Sequence, residues 1–494
     1  MKTFLQLLFL IGGVGFFFSC DFDQLPSDAI LTEQAWQTVE DARHFRIGMY
    51  SEFQKVSGGP AVYLPDYQSD LYNLTISSQN RGAEFQRWDF TSFQKNIEYI
   101  WQQNYLVINN CNHILLHIDE IIPESEQDKT ELDKIKGEAY LMRAICYHSL
   151  VLRFAKDYEP EEAKHTLGLP LVTEVDPEGK PARSSLEDTY RLIKKDIQAA
   201  RSLLLPSEEG TTNSIYFTTD VMDAFEARVD LYMHDYPGAL KLSYELTGKY
   251  VMCRDAQSLA DMWENDEGIE ILFQTYCSVD ERNEYCSYPY FLLLYGMKFH
   301  PDIVPSQWVL DLYEESDIRK IAYFQRGTVQ CNYVIADNIY MLRKFPGNPS
   351  FTEDADYGYP RYYNMSKLFR SPELYLIMAE AFYRVQNEEG ALAALNMVRI
   401  YRQASILSSS GEALFNDIKN EWIREFVGEG HRLDDLKRWH DDMYRRDPQD
   451  RSILVVEPAN LYHEMYVPAD DPRWVWEIPA NDLNTNPNLE PNWK

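Results

Sequence analysis

Apolar residues recur along one helical face between residues 371 and 385. Leu374, Ile377 and Ala381 lie three and four positions apart, the spacing of a helix that packs one side against a core. Ser371 and Pro372 precede them and are residue types typical of a helix start. The same periodicity predicts further helices near residues 31–56, 97–120, 129–155, 185–205, 219–234, 238–248, 306–315, 388–403 and 412–427. The pattern therefore predicts a protein dominated by α-helix.

A faint repeat of small residues links two parts of this pattern. Ala227 is followed twelve positions later by Ala239, and Ala379 is followed at the same spacing by Ala391. Both stretches predict a helix, a short polar turn and a second helix, with a small residue where the helices cross. This arrangement resembles tetratricopeptide helical hairpins, in which alanine lets two helices approach closely. We therefore expect such hairpins in the scaffold.

Three stretches lack helical periodicity and carry many aromatic residues. They span residues 57–96, 274–300 and 345–365, and the last two are rich in tyrosine beside proline. Long loops in a compact protein are usually functional or disordered, and a high aromatic content argues against disorder. Tyrosine and tryptophan combine an apolar face with a polar group, which suits a partly hydrated binding surface. We therefore expect long, aromatic-rich loops to form the ligand face.

The amino terminus has the pattern of an export signal. Lys2 is followed by a mostly apolar run over residues 4–18, which Ser19 and Cys20 close. This run is too short to be a stable membrane span. A small residue directly before a cysteine is typical of a bacterial lipoprotein signal, so we predict that residues 1–19 are removed and that Cys20 is lipidated. An ordinary signal peptide with Cys20 unmodified is the alternative.

The charge balance excludes one class of partner. The 494 residues include 47 Lys and Arg against 78 Asp and Glu, which gives a formal net charge of −31. Such a field repels phosphate backbones, so we expect no nucleic-acid partner. The six cysteines after Cys20 form no CxxC pair, although Cys277 and Cys286 could close a loop by a disulfide.

Residues 421–439 carry the most specific motif of the chain. From Glu421 to Trp439 they read E-x-x-R-E-x-x-x-E-G-x-R-x-x-D-L-x-R-W. Here the chain resembles the SusD/RagB family of outer-membrane lipoproteins of Bacteroidetes, whose signature it matches at nearly every position. Further segments match the family in order, namely residues 137–144, 168–172, 374–381, 395–399 and 476–489. The resemblance implies a SusD-like fold in which residues 20–270 and 271–494 form one compact unit.

This resemblance also implies a function. It suggests a surface glycan-binding lipoprotein that acts as a lid over a SusC-like TonB-dependent transporter. We therefore expect an oligosaccharide ligand, a SusC-like partner and a lipid-anchored position in the outer membrane, facing the cell exterior. The RagB branch implies peptide capture as one alternative, and a tetratricopeptide adaptor without a small ligand is another.

The sequence gives no positive support for catalysis. The HExxH, GxSxG, Walker A and GxGxxG motifs are all absent from it. His431 and His440 flank Asp434 and Asp435, which could suggest a metal cluster, but helix-end histidines beside an acidic face are the simpler interpretation. The alternating charges of the signature are interpreted as a structural ion-pair network. We therefore expect a binding protein and not an enzyme, with no cofactor and no metal site.

The chemistry of sugar recognition selects the candidate contacts. Pyranose rings pack their C–H faces on aromatic rings, and their hydroxyls need polar side chains. We therefore look for both kinds of residue in the non-helical stretches. The candidates are Asp70, Asn80 and Arg81 for hydrogen bonds, and Trp88, Tyr285, Tyr288, Tyr290, Tyr357 and Tyr359 for stacking.

Overall fold

The computed structural model describes residues 35–206, 210–281, 288, 298–351, 363–455 and 465–493. Helices dominate these ranges, and their strands are short and paired two at a time, which confirms the predicted fold class. The helices are α1 Val39–Ser57, α2 Pro60–Gln68, α3 Ala83–Arg87, α4 Lys95–His117, α5 Glu126–Phe154, α6 Leu186–Leu203, α7 Thr219–Tyr232, α8 Tyr236–Thr247, α9 Ala256–Asn265, α10 Gln307–Leu310, α11 Ile318–Ala322, α12 Ser371–Arg384, α13 Glu388–Tyr401, α14 Gly411–Phe426, α15 Arg432–Trp439 and α16 Ala480–Thr485. The strands are β1 Tyr72–Leu74, β2 Leu167–Pro170, β3 Arg183–Ser185, β4 Ile271–Gln274, β5 Ile303–Pro305, β6 Phe324–Cys331, β7 Val334–Leu342, β8 Lys367–Arg370, β9 Met443–Tyr444 and β10 Tyr466–Val467. Within the described ranges, none of these helices combines the length and the apolar character needed to cross a bilayer.

One large hydrophobic core takes residues from both halves of the chain. Met49 of α1, Val107 of α4 and Ala144 of α5 belong to the same buried cluster as Leu342 of β7 and Trp476. Residues before and after position 270 therefore share one core. The division of the chain at that position stays a prediction.

Most predicted helices are observed within a few residues of their predicted bounds, but two predictions were wrong. The helix expected over residues 306–315 is limited to α10. The stretch 57–96, expected to be non-helical, contains α2 and α3. Helix α2 begins at Pro60 after Gly58 and Gly59, and proline in the first turn favours a helix start because its fixed φ is already helical.

The repeated alanines lie where two helical hairpins meet. Hairpin α7–α8 contributes Ala227 and Ala239, and hairpin α12–α13 contributes Ala379 and Ala391. All four are 0% exposed and belong to one hydrophobic cluster. The predicted hairpins are therefore present, while their tetratricopeptide character stays a prediction.

The two hairpins also share one turn geometry. A residue with positive φ follows each first helix, His234 at 63° and Gln386 at 62°. The next residue caps the second helix, since Asp235 accepts a hydrogen bond from the Gly238 amide at 3.1 Å. The equivalent Asn387 accepts one from the backbone three residues later at 3.0 Å. The repeat thus extends from the alanines to the turn.

Charged side chains of residues 421–439 are buried and paired. Glu425 Oε1 accepts hydrogen bonds from Arg370 Nη1 at 3.0 Å and from Arg402 Nη2 at 2.9 Å. Glu421 lies 2.7 Å from Arg319 in an ion pair whose side chains are 0% exposed. Burial raises the pKa of Glu421, but Arg319 and two further arginines outweigh it and lower this pKa to about 2. The network therefore holds the scaffold together, as the sequence suggested.

The long β-hairpin β6–β7 joins the main core at its base, through Phe324 and Leu342, and packs on a small hydrophobic cluster further along its strands. The antiparallel register runs from Phe324 opposite Leu342 to Cys331 opposite Val334. Val329 belongs to a small cluster that is separate from the main core. This hairpin, together with the loop that follows β1, forms the region described next.

Candidate functional site

The structure separates the predicted ligand contacts into buried and exposed groups. Trp88, Asp70 and Tyr288 are between 0% and 1% exposed. Asn80 and Arg81 are exposed. Only the second group can reach a ligand in this conformation.

Trp88 is a structural residue and not an open platform. Its ring is 0% exposed and lies edge-on to Trp474, with ring centroids 4.8 Å apart. Its indole Nε1 donates a hydrogen bond to the Gln68 carbonyl at 2.8 Å. A sugar cannot stack on a ring whose faces are already covered, so the predicted role of Trp88 is corrected to packing.

Asp70 is committed to an ion pair. Its carboxylate accepts two hydrogen bonds from Arg432, from Nε at 2.9 Å and from Nη2 at 2.8 Å. Because both partners are buried, neither can turn outward without leaving a charge unpaired. The predicted ligand role of Asp70 is therefore corrected as well.

Tyr288 is buried against the protein. Its ring stacks on Phe345 with centroids 3.9 Å apart, and its hydroxyl forms a hydrogen bond with Ser366. Its predicted stacking role is corrected for the same reason as that of Trp88. The remaining predictions on Cys20, Tyr285, Tyr290, Tyr357, Tyr359 and the Cys277–Cys286 disulfide involve residues outside the described ranges.

Asn80 and Arg81 occupy an exposed turn between β1 and α3. Asn80 has a φ of 67°, a left-handed conformation that asparagine tolerates better than most residues. The Arg81 side chain is 57% exposed and lies over Asp302, whose side chain is 2% exposed. The pair is bidentate, with Arg81 Nε donating at 2.9 Å and Nη2 at 2.6 Å. Burial raises the pKa of Asp302, and the hydrogen bond from Arg81 opposes that shift.

The tip of hairpin β6–β7 lies beside this turn. Ser77 Oγ donates a hydrogen bond to the Gln330 carbonyl at 3.3 Å, and Lys298 Nζ donates to Gln330 Oε1 at 3.4 Å. Three residues beyond Gln330, Tyr333 is 101% exposed. We call the surface formed by Ser77, Asn80, Arg81, Asp302, Gln330 and Tyr333 the Arg81 face.

The Arg81 face combines the two chemical features that sugar binding needs. Tyr333 offers a free aromatic ring, and Arg81 uses only Nε and Nη2 in its contacts with described residues, which leaves the Nη1 hydrogens available. Tyr333, Asp302 and Gln330 were missed from the sequence. The Asn332-Tyr333 pair at the hairpin turn was the available signal, because asparagine favours the positive φ of 54° observed there.

Two clefts of several hundred Å³ lie away from the Arg81 face in the described structure. One of about 580 Å³ lies between α1 and α4 and is lined by Trp36 and Phe45. Their rings stack on each other with centroids 3.9 Å apart, so part of their surface is already used. The other, of about 440 Å³, is lined by Trp101 and Tyr105, and Trp101 is only 2% exposed. Neither presents a fully exposed ring like Tyr333.

The structure does not bring together His431, Asp434, Asp435 and His440, the residues that could have suggested a metal cluster. His431 is packed against Phe426 with ring centroids 4.4 Å apart, and burial together with nearby cations lowers its pKa. Asp434 pairs with Arg153, and Asp435 pairs with Arg438 at 3.0 Å. His440 instead lies 3.3 Å from Asp157, so these four residues do not share a metal site.

Two family models match the chain over separate ranges. The model described as "SusD family" matches residues 300–493. The model described as "Starch-binding associating with outer membrane" matches residues 37–231. Both ranges lie within the region of the predicted resemblance.

Individual relatives agree with these matches. A SusD-like protein of Formosa agariphila is 24% identical over 99% of this chain and 98% of its own length. A SusD superfamily protein of Bacteroides thetaiotaomicron has a similar structure, with a TM-score of 0.79 and 24% identity over 92% of this chain and 100% of that one. A putative sugar binding protein of Bacteroides vulgatus has a TM-score of 0.75 and 22% identity over 93% of this chain and 99% of that one.

Proposed function

Because the chain belongs to the SusD family, we propose that it is a surface-exposed lipoprotein that captures a glycan and delivers it to a SusC-like TonB-dependent transporter of the outer membrane. Proteins of this family are binding proteins and not enzymes, and the family description associates them with the outer membrane. The similar Bacteroides vulgatus structure is named as a putative sugar binding protein. These names support an oligosaccharide or polysaccharide as the ligand.

The observation that carries the proposal is the exposure of Tyr333 beside a preformed polar surface. A tyrosine that is 101% exposed gains nothing from packing within its own chain. In the proposed complex its ring packs on the C–H face of a pyranose unit. Burial of that ring surface on binding stabilises the complex, as aromatic contacts do in other binding sites.

Polar groups of the Arg81 face would orient the sugar. The ion pair with Asp302 fixes the Arg81 side chain before binding, so little side-chain freedom is lost when a ligand arrives. The Nη1 hydrogens of Arg81 and the amide of Asn80 can donate hydrogen bonds to sugar hydroxyls. No covalent step is needed for capture, since the ligand is held and then released to the transporter.

A matched pair of variants tests this site. We expect Tyr333→Ala to weaken binding of the recognised polysaccharide by about 1–2 kcal/mol, roughly 5- to 30-fold in Kd. Tyr244→Ala is the control, because Tyr244 is also strongly exposed, at 71%, but lies on α8 outside the Arg81 face. Isothermal titration with a panel of soluble polysaccharides would identify the ligand and then compare the variants. Equal affinities for the two variants and the unmodified protein would remove Tyr333 from the site.

The same panel separates the proposed glycan from the alternative ligands. A peptide digest is included as a competing class, since the RagB branch of the family suggests peptide capture. Binding of peptides without any glycan would contradict the glycan proposal. If the protein binds neither glycans nor peptides but does bind a protein partner, the adaptor interpretation is favoured.

The anchor and the partner need separate experiments in cells. We expect Cys20→Ser to move the protein from the outer-membrane fraction to the soluble fraction, because a stable membrane association would depend on lipidation of Cys20. We also expect a TonB-dependent transporter to co-purify with the unmodified protein. An unchanged location for the variant would contradict the lipid anchor, and absence of a transporter would contradict delivery.

A further inference from the structure

Two segments far apart in sequence bring together three side chains of types that can bind a metal ion. Asp157 and Glu159 follow the end of α5, and His440 directly follows α15. The ligand atoms of these three residues all lie within 4.8 Å of one another. This cluster is separate from the Arg81 face and plays no part in the proposed glycan capture.

The backbone around the cluster is fixed by strong contacts. Helix α15 is held to the end of α5 by the ion pair of Arg153 with Asp434. Lys437 of α15 donates a hydrogen bond to the Leu152 carbonyl at 3.0 Å. His440 then caps α15 in a left-handed conformation, with a φ of 56° and a ψ of 38°. The backbone segments that carry Asp157 and His440 are therefore held together before any ligand binds.

Asp157 contains an oxygen that the described protein does not satisfy. Its Oδ2 atom is buried and has no hydrogen-bond partner among the described residues. The imidazole Nε2 of His440 lies 3.3 Å away but does not meet the geometry of a hydrogen bond to it. A buried carboxylate oxygen that accepts no hydrogen bond is unfavourable, and a bound cation would satisfy it.

The separation of these two atoms fits a transition metal. Two ligands that each lie about 2.0–2.1 Å from a tetrahedral Zn²⁺ are about 3.4 Å apart. The observed distance between Asp157 Oδ2 and His440 Nε2 is 3.3 Å. Glu159 can supply a third ligand, and the His440 side chain is 60% exposed, which leaves room for a water molecule as the fourth.

We propose that Asp157, Glu159 and His440 form a binding site for a divalent transition metal, with Zn²⁺ as the preferred ion. An imidazole with carboxylates suits Zn²⁺, whereas Ca²⁺ prefers six to eight oxygen ligands and Mg²⁺ prefers octahedral oxygen coordination. The bound metal would tie the segment after α5 to the end of α15. It therefore stabilises the contact between the two parts of the chain and takes no part in catalysis.

Direct binding measurements test the site. The chain from residue 21 onward is purified through a tag without histidine, treated with a chelator and titrated with Zn²⁺, with Ca²⁺ and Mg²⁺ as comparisons. We expect one saturable Zn²⁺ site and a melting temperature that rises with Zn²⁺ concentration. Absence of saturable Zn²⁺ binding, or Ca²⁺ binding of equal affinity, would overturn the proposal.

Variants locate the metal on these residues. We expect His440→Asn and Asp157→Asn each to weaken Zn²⁺ binding at least tenfold, and asparagine tolerates the backbone conformation of His440. The control is His44→Gln, because His44 Nε2 also lies near a carboxylate, Glu40, at 3.5 Å and is exposed. Loss of binding in the control alone, or unchanged binding in His440→Asn, would contradict the assignment.

A second readout does not depend on the folding of any variant. Co²⁺ bound in place of Zn²⁺ to the unmodified protein would show the visible absorption of a four- or five-coordinate site with nitrogen and oxygen ligands. Added Zn²⁺ should displace it in a ratio of one to one. An octahedral spectrum typical of hydrated Co²⁺ would count against the site.

Discussion

Asp70 and Arg432 form a buried bidentate ion pair that joins the end of α2 to the start of α15. The two hydrogen bonds measure 2.9 Å and 2.8 Å. Arg432 belongs to the family signature, whereas Asp70 lies in the stretch expected to contact ligand. The pair therefore shows that the signature extends its contacts into the aromatic-rich amino-terminal region.

We predict that Asp70→Ala destabilises the fold and leaves the glycan affinity of the folded protein unchanged. Removing the carboxylate leaves the Arg432 guanidinium buried without its partner, which costs about 3–5 kcal/mol in comparable pairs. Urea unfolding measures this loss. Asp89→Ala is the control, because the side chain of Asp89 is 50% exposed and its ion pair with Arg87 should contribute less than about 1 kcal/mol. A weaker ligand affinity at unchanged stability would restore Asp70 as a contact residue.

We predict opposite effects of alanine at two glycines. Gly430 has a φ of +78°, and a Cβ atom there would lie 2.8 Å from the Val62 carbonyl oxygen. Gly430→Ala should therefore lower the free energy of unfolding by more than about 2 kcal/mol through strain and a backbone clash. Gly48 lies within α1, and a Cβ there meets nothing within 4 Å.

Gly48→Ala should be neutral or stabilise the protein by up to about 1 kcal/mol, because alanine favours the helix more than glycine does. Denaturant unfolding of both variants provides the comparison. The prediction for Gly430 is wrong if the two substitutions have similar effects.

We predict that Asp435 makes the protein less stable as the pH rises from about 4 to about 7. Burial raises the pKa of Asp435 to about 7; Arg438 opposes this shift, and Glu380 adds to it. In that pH range the folded protein keeps a proton that the unfolded chain has released. The free energy of unfolding therefore falls with pH, by about 1.4 kcal/mol per unit where the slope is steepest.

Asparagine cannot titrate, so Asp435→Asn should remove this contribution and flatten the dependence. Urea unfolding at intervals of about one pH unit between about 4 and 8 tests it. The exposed Asp89→Asn serves as the control and should keep the slope of the unmodified protein. A slope in Asp435→Asn that matches the unmodified protein would show that another group titrates in this range.

The helical scaffold could be predicted because the signals for a helix lie within a short stretch of sequence. The spacing of Ala227 and Ala239 matches that of Ala379 and Ala391, and all four residues are buried where predicted. The hairpin β6–β7 was missed, since its strands have no marked alternation of apolar and polar residues. The one sequence signal for this hairpin was Asn332, an asparagine at its turn.

The candidate site was predicted less well because burial depends on distant partners. Trp88 is covered by Trp474, which lies almost at the other end of the chain. No local pattern distinguishes a tryptophan covered in this way from one exposed to ligand. By contrast, Arg81 remains exposed, although its partner Asp302 could not be foreseen either.

Hairpin β6–β7 packs through Val329 and Ile339 on a small cluster that excludes the helical hairpins. Substitutions at its tip therefore leave the packing of the helices unchanged. Under the proposed function, relatives can retain the same helical scaffold while the residues of this tip change. Exchanging the tip between two relatives would then test whether it alters which ligand is bound.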